Sequence, residues 1–436
     1  MKLSKIVLTK IKKLTRNELI TNSAQILILK VLTAVTGFIL SALIARSLGA
    51  ENAGFYFFTL SFFAIVSVLV KQGGEQALTR FIASSLHSQE KNQILKWWLK
   101  KAYLYAVIFS SLLLLINLWK GALLPLQWQV AFQFTSLLLL FVPVYALINQ
   151  ALLGNKDFFA FSFSSLLVRL IHCVILYATL FSYGSLDLNT VLVSFIFANL
   201  ITLFYVIYRW KFKNTLTKKI QSNRSFIELT VSMYKARTSL WISSVLSVLS
   251  LHVVPFFLGF LNQLEQVSYF AVSNQLTMLL SFVLMSITHA ISPNLAKNNG
   301  ISMNIELKNH FIKARKLMIY SGLPIVFFTL IFSKYLLAIF GDEFKQAQMI
   351  LVVLLLGHLI KLLAGPTGQF LVMTGREKQH QYNLTVSISL LLAIGSGLTL
   401  LYGAIGGACG VFISMTTNSL LGYFQVNSIL RPKENL

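Results

Sequence analysis

Long apolar segments alternate with short polar segments along almost the whole chain. Each apolar run is long enough, at about 1.5 Å per helical residue, to cross most or all of a ~30 Å hydrocarbon layer. The predicted membrane spans are residues 22–48, 54–72, 102–119, 130–153, 158–182, 189–208, 238–260, 267–291, 317–333, 347–372, 382–402 and 404–427. The runs are continuous and do not alternate with period two, as the strands of a transmembrane barrel would. The pattern therefore predicts an all-α polytopic membrane protein with about twelve transmembrane helices.

The first span carries a lysine inside its apolar run. Lys30 is followed by Thr33, Gly37 and Ser41 at i+3, i+7 and i+11, so a cation and small or polar residues share one helix face. An ionisable group at that depth costs at least about 2.5 kcal/mol on insertion scales, which makes a functional site the default hypothesis. The alternative is that the Lys30 side chain extends to the nearer headgroups.

Composition agrees with a membrane protein and excludes the soluble globular class. Of the 436 residues, 56% are hydrophobic and only 11% are charged, and the mean hydropathy is +0.73. Most of the 37 Lys and Arg residues fall in loops on one side of the predicted spans, so both termini are expected to be cytoplasmic. Cys173 and Cys409 lie in apolar runs without neighbours at ligand spacing, so no metal site and no disulfide framework is indicated.

No loop is long enough to form a folded domain. The longest one, residues 209–237, is basic and is expected to lie against anionic membrane lipids and not to bind nucleic acid. The predicted domains are a basic cytoplasmic N-terminus at 1–21, an N-lobe at 22–208, a basic cytoplasmic linker at 209–237, a C-lobe at 238–427 and a cytoplasmic C-terminus at 428–436.

The two halves resemble each other. LGAENAGFYFF at 48–58 is echoed by LGFLNQLEQVSYF at 258–270, and NQALLGNKDFFAF at 149–161 is echoed by GQFLVMTGREKQHQY at 368–382. Because each unit contains six spans, the two copies share one orientation, as in the parallel repeats of some transporters. We therefore expect two six-helix lobes, related by a parallel internal repeat, around a central cavity.

Cationic and imidazole side chains are the only ionisable groups predicted near span centres. Arg169 and His172 lie at i, i+3 in the fifth span, and His358 and Lys361 lie at i, i+3 in the tenth. His252 lies in the seventh span, on the helix face opposite a stripe of serines at Ser243, Ser247 and Ser250. Without an acidic residue at that depth, the simplest counter-ion is an anionic ligand such as a pyrophosphate.

The candidate substrate-binding residues are Lys30, Arg169, His172, His252, His358 and Lys361. Each has a structural alternative. Arg169 and Lys361 can bond to neighbouring backbone carbonyls, and a neutral histidine can pack between helices. No catalytic residue and no cofactor is indicated.

Several short motifs resemble one transporter family. ARSLGAENAGFYFF is followed by LVKQGGEQALTRFIA at 69–83, ISPNLAK at 291–297, FGDEFKQA at 340–347 and GPTGQFLVMTGREKQ at 365–379. Their order is similar to that in polysaccharide flippases, the Wzx-type O-antigen and capsule exporters of the multidrug/oligosaccharidyl-lipid/polysaccharide (MOP) superfamily. Relatives often carry an acidic residue in the seventh span where this chain has the segment His252–Pro255.

The resemblance implies transport by alternating access, with an undecaprenyl-pyrophosphate-linked oligosaccharide as substrate. It also implies a place in the bacterial cytoplasmic membrane, with the polysaccharide polymerase machinery as a candidate partner. A multidrug antiporter of the same superfamily is the near alternative, although such antiporters generally need a membrane carboxylate. A membrane glycan polymerase or glycosyltransferase is the enzymatic alternative. Those enzymes usually have a long outer loop or acidic residues at the outer face, and both are missing from this pattern, so we expect a transporter and no enzyme.

Overall fold

The computed structural model describes residues 2–85, 87–120, 123–215, 226–296 and 304–430, and these contain helices and no β-strand. The α-helices are α1 Lys2–Lys71, α2 Gly74–Ser84, α3 Ser88–Lys120, α4 Leu126–Leu139, α5 Val142–Gly154, α6 Phe158–Tyr183, α7 Leu188–Thr215, α8 Phe226–Phe260, α9 Leu264–Ala296, α10 Asn304–Ile331, α11 Ser333–Ala338, α12 Gln348–Ala364, α13 Thr367–Met373, α14 Glu377–Leu390 and α15 Ser396–Leu430. A 3₁₀ turn, Asp342–Ala347, precedes α12, and a π turn, Leu391–Gly395, joins α14 to α15.

Two of the longest helical segments each contain a kink at one glycine. Gly49 in α1 has φ 75° and ψ 172°, and Gly403 in α15 has φ 59° and ψ −138°. A residue with a side chain rarely adopts a positive φ, so glycine allows the chain to turn there without a loop. Gly49 therefore divides α1 into two membrane-length pieces, and Gly403 does the same for the continuous helical run Glu377–Leu430, which comprises α14, the π turn and α15.

Among the described residues, eight helical segments are long and apolar enough to cross a membrane. The bent pair of α4 and α5 would make a ninth, and α9 is 33 residues long. When the segments divided at Gly49 and Gly403 are each counted as two and the bent pair as one, the described pieces number eleven, and α9 is a twelfth long helix. The predicted fold class, an all-α polytopic membrane protein with about twelve spans, is confirmed.

Two predicted spans are broken. The fourth consists of α4 and α5, which meet at 44°, and Pro143 stands in the first turn of α5. The tenth consists of α12 and α13, separated by Gly365 with φ 84° and by Pro366. Proline cannot donate the helical hydrogen bond and constrains the residue before it, so both breaks have a local cause.

Contacts divide the chain into two compact units. Unit 1 comprises Met1–Leu40, Leu69–Ile116 and Ser136–Trp241. Its core lies where α2 meets α5 and α3. Trp98 is buried there with Leu78 and Leu147. A Cβ atom at Gly74 would lie 2.7 Å from Leu147 Cδ2, so the missing side chain allows this close packing.

Unit 2 comprises Ser41–Val68, Asn117–Thr135 and Ile242–Leu436. One buried cluster in it joins α9, α10 and α12 through Leu280, Met318 and Leu362. Another joins α10, α13 and α15 through Phe311 and Phe370, whose rings meet edge to face at 5.4 Å.

The units defined by contacts do not follow the predicted lobe boundary, because residues 41–68 and 117–135 belong to unit 2. The lobes at 22–208 and 238–427 were predicted from a sequence repeat, which is a different criterion, and they stay a prediction. Parts of the predicted linker and C-terminus, residues 216–225 and 431–436, lie outside the described residues.

Candidate functional site

Arg169 contacts the face of α1 that carries Lys30. Arg169, on α6, donates a hydrogen bond from Nη1 to the backbone carbonyl of Thr33, one turn beyond Lys30. Gly37, a further turn along, provides the space for this contact. A Cβ atom at Gly37 would lie 2.4 Å from Arg169 Nη1. The structure thus brings Arg169 to the helix face on which Lys30, Thr33 and Gly37 were predicted to lie.

The surroundings of Lys30 are polar only in part. The side chain is partly exposed, and it has no ion-pair partner among the described residues. Thr33 donates its hydroxyl to Leu29 O at 2.6 Å, so its own helix satisfies it. This face of α1 therefore has a cation, a guanidinium that reaches it from α6, and a notch at Gly37.

His172 lies one turn from Arg169 on α6 but contacts a different neighbour. It is fully buried, its Nε2 is 3.2 Å from the carbonyl oxygen of Val191 on α7, and its ring packs edge to face on Phe195 at 5.6 Å. Although Arg169 and His172 are three residues apart, the first contacts α1 and the second α7. The structure does not bring them to one surface.

His252, on α8, lies in unit 2. Its Nδ1 is 3.3 Å from the hydroxyl of Ser61 on α1, and the side chain is partly buried. The serine stripe on the same helix bonds along its own backbone: Ser247 donates to Ser243 O and Ser250 donates to Ser247 O, both at 2.8 Å. His252 is thus held by a neutral hydroxyl.

Lys361 lies in the last turn of α12, immediately before the break at Gly365 and Pro366. Its side chain is exposed and has no ion-pair partner among the described residues. The last carbonyls of a helix lack helical partners and carry partial negative charge, so a cation is favoured at this position. His358, one turn earlier, is buried, with 8% of its surface exposed.

Arg315 of α10 caps the same helix end, which sequence reasoning missed. Its Nε donates to Leu363 O at 2.6 Å, its Nη1 lies 3.4 Å from Tyr423 Oη, and its guanidinium carbon lies 4.9 Å from the centre of the Tyr423 ring. In the sequence, Arg315 lies between the predicted spans 267–291 and 317–333. The signal available was the GPTG break itself, because a broken helix leaves carbonyls that a nearby arginine can satisfy.

Two acidic residues, Glu75 and Asp157, form ion pairs near helix ends. Lys71 Nζ lies 2.9 Å from Glu75 Oε1, and Arg209 Nη2 lies 2.9 Å from Asp157 Oδ2. Within the described residues no group of three or more His, Cys, Asp or Glu side chains is arranged to hold a metal ion. The cations described above, Lys30, Arg169 and Lys361, are side chains of the kind that bind an anion.

Comparison with known proteins adds a family. The model of a family described as "Polysaccharide biosynthesis protein" matches residues 19–299, and a second model, described as MatE, matches residues 239–398. No curated protein is significantly similar to the chain.

Several solved structures share the fold. Lipid II flippase MurJ in an inward closed conformation has a TM-score of 0.70 and 15% identity, over 92% of this chain and 87% of that one. An inward-facing multidrug resistance MATE family transporter of the MOP superfamily has a TM-score of 0.68 and 15% identity, over 91% and 96%. A MOP superfamily transporter from Pyrococcus furiosus has a TM-score of 0.64 and 14% identity, over 94% of each chain. At these identities the likeness establishes the fold alone.

Proposed function

This chain belongs to the polysaccharide biosynthesis protein family, whose model matches well over half of it, and on that premise we propose that it moves lipid-linked oligosaccharides across a membrane. The family resemblance expected from the motifs is confirmed, and the fold is that of MOP superfamily transporters. The flippase function is the proposal, and family membership is the observation that carries it.

The proposed substrate is an undecaprenyl-pyrophosphate-linked unit of O-antigen or capsule, moved by alternating access across the bacterial cytoplasmic membrane. Both chain termini lie in the cytoplasm in this proposal, as the loop charges predict. The polysaccharide polymerase machinery would take up the product on the far side. The protein's own part is binding and movement, with no catalytic step.

The face of α1 that carries Lys30 supports an anionic headgroup. Lys30 is a cation with no ion-pair partner among the described residues, and Arg169 approaches the same face. A pyrophosphate would accept charge-assisted hydrogen bonds from the amine and the guanidinium, which are stronger than neutral ones. The ligand would thereby offset part of the cost of holding Lys30 within a membrane span.

In unit 2 the corresponding cation is Lys361 at the end of α12. Broken helices with exposed termini are used by several transporter folds to build ion sites within the membrane. Lys361 is exposed, whereas His172 and His358 are buried between helices. We assign phosphate contact to Lys30, Arg169 and Lys361, and helix packing to the two buried histidines. That the three cations act on one ligand stays a prediction.

Deleting the gene tests the proposal. Cells without the protein should accumulate a polyprenyl-pyrophosphate-linked glycan and lose the matching surface glycan. Restoring the wild-type gene should reverse both changes. If glycan-bearing lipid does not accumulate, the proposed function is wrong.

A multidrug antiporter is the second candidate, favoured by the MatE model over residues 239–398 and by the MATE transporter structures. It predicts that deletion sensitises cells to cationic drugs and leaves the surface glycan unchanged. If the protein were a membrane glycan polymerase, deletion of its gene would instead shorten the surface glycan to single units.

A further inference from the structure

A cleft of about 380 Å³ lies between α2 and α5 in unit 1, apart from the cations described above. Each side chain that lines it carries a polar group: the lining residues are Glu75, Gln76, Thr79, Arg80 and Gln150. The volume falls near the lower end of the range of about 300–1,000 Å³ for small-ligand sites. The cleft therefore has room for a sugar ring.

The cleft is built on a short amphipathic helix. α2 begins after Gly73, which has a left-handed conformation with φ 77°, and it buries Gly74, Ala77, Leu78 and Ile82 on one side. The four lining residues of α2 occur at i, i+1, i+4 and i+5 and so share the other face. α5 comes close because its Gly154 has no side chain: a Cβ there would lie 3.0 Å from Leu78 O and from Ile82 Cβ.

Contacts within the cleft orient its polar groups. Thr79 Oγ1 lies 3.1 Å from Gln150 Oε1 and 3.1 Å from Glu75 O. The amide oxygen of Gln150 thus faces Thr79, which leaves its N–H donors without a partner among the described residues. Lys71 Nζ donates a hydrogen bond to Glu75 Oε1 at 2.9 Å, and the second carboxylate oxygen of Glu75 has no described partner.

Donors and acceptors are therefore both available. The acceptor is the second oxygen of Glu75. The donors are the amides of Gln76 and Gln150 and the guanidinium of Arg80, which has no described partner apart from its 5.9 Å approach to the Phe81 ring. A sugar hydroxyl both donates and accepts a hydrogen bond, so adjacent hydroxyls match such a mixed set.

The charged residues of the cleft favour a sugar over a pyrophosphate as its ligand. The Lys71–Glu75 pair is neutral overall, and Arg80 leaves a single positive charge. A pyrophosphate would have to approach the Glu75 carboxylate, which is unfavourable for two anions. We infer that this cleft binds a sugar ring of the lipid-linked oligosaccharide through its hydroxyl groups, an inference that rests on the proposed function.

Lipid binding by the purified full-length protein in nanodiscs, measured by native mass spectrometry, tests this inference. One probe is the glycan-bearing lipid that accumulates in cells lacking the gene. The other is undecaprenyl pyrophosphate without sugar. One lost hydrogen bond to a ligand is worth about tenfold in affinity, so Gln150→Leu should weaken binding of the glycan-bearing lipid about tenfold. Thr79→Val removes the hydroxyl that orients Gln150 and should weaken the same binding by a smaller factor. Binding of the sugar-free lipid should not change.

One further cleft variant and two controls separate this inference from the proposed function. Gln76→Ala changes an exposed side chain and should fold normally, and it should show the same selective loss. Ser84→Ala removes a hydroxyl from α2 outside the cleft, where Ser84 bonds to Phe81 O, and should bind both lipids normally. Lys30→Ala should weaken both lipids alike.

Equal binding of the two lipids by the wild-type protein would overturn the cleft assignment and leave the proposed function standing. Equal loss of both lipids in the cleft variants would overturn it as well. If cells lacking the gene accumulate no glycan-bearing lipid, the proposed function fails and the cleft assignment fails with it.

Discussion

Helix α1 has different neighbours in the two units. In unit 1, Gly37 faces the end of a side chain, with a Cβ position 2.4 Å from Arg169 Nη1. In unit 2, Gly54 faces backbone, with a Cβ position 1.8 Å from Leu264 O and 2.5 Å from Leu264 C. The end of an arginine side chain can move aside, whereas the first turn of α9 cannot.

The difference separates two uses of glycine in one helix. At Gly54 the small residue permits close backbone packing, as in small-residue contacts between membrane helices. At Gly37 it admits a charged group to a helix face that also carries Lys30. We therefore expect the Gly54 region to determine stability and the Gly37 region to determine transport.

The largest expected effect is that of Gly54→Ala. The added methyl group would overlap backbone atoms of Leu264, and such overpacking costs about 3 kcal/mol or more of unfolding free energy. The checks are the thermal unfolding midpoint of the purified protein and its amount in the membrane. Gly397→Ala is the matched control, because nothing lies within 4 Å of its Cβ position. Equal midpoints for the two variants would show that the Gly54 contact is not tight.

The next effect is that of Arg169→Ala on transport. Loss of charge-assisted hydrogen bonds to a phosphate should reduce surface glycan at least about tenfold at matched membrane levels of protein. Arg169→Lys keeps the charge but not the planar guanidinium, so its transport activity should lie between that of the wild type and that of Arg169→Ala. Wild-type glycan levels in Arg169→Ala cells would make this residue purely structural.

In α12 the cation, Lys361, lies at the end of a helix. Lys361→Arg should keep most transport because a point charge suffices there, and Lys361→Gln should lose several-fold. Surface glycan at matched membrane levels is again the measurement. If Lys361→Gln transports like the wild type, the α12 break is a structural feature and not a phosphate contact.

Arg315→Gln should act mainly on stability. It removes the donor to Leu363 O and the stacking on Tyr423, together worth about 1–2 kcal/mol. A lower thermal midpoint is expected, with export per folded molecule unchanged. Reduced export at an unchanged midpoint would instead place Arg315 among the substrate contacts.

Gly37→Ala should have the smallest effect. The methyl group would push the end of the Arg169 side chain away from Thr33 O, and that side chain can rotate at a cost of about 1 kcal/mol. Export should therefore fall a few-fold with an unchanged thermal midpoint. A fall in stability as large as that of Gly54→Ala would remove the distinction between the two regions of α1.

The candidate site was only partly predictable. The i, i+3 spacing placed Lys30, Thr33 and Gly37 on one face of α1, because residues on one helix face follow from local periodicity. The same spacing placed Arg169 and His172 on one face of the fifth span, and in the structure they contact α1 and α7 respectively. Side chains three residues apart still diverge by about 60° around the helix, enough to meet different neighbours in a packed bundle.

The sequence by itself determined the class of structure: long apolar runs require helices in a membrane, and the glycine and proline positions mark where those helices turn or break. It also determined that cations are held within spans. Only the tertiary structure decided their partners, because Arg169 and Thr33 are 136 residues apart, and Gln150 lies 71 residues beyond Thr79. Hydropathy and periodicity describe one segment at a time, whereas a binding surface depends on which segments pack together, and many pairings of apolar helices satisfy the same pattern.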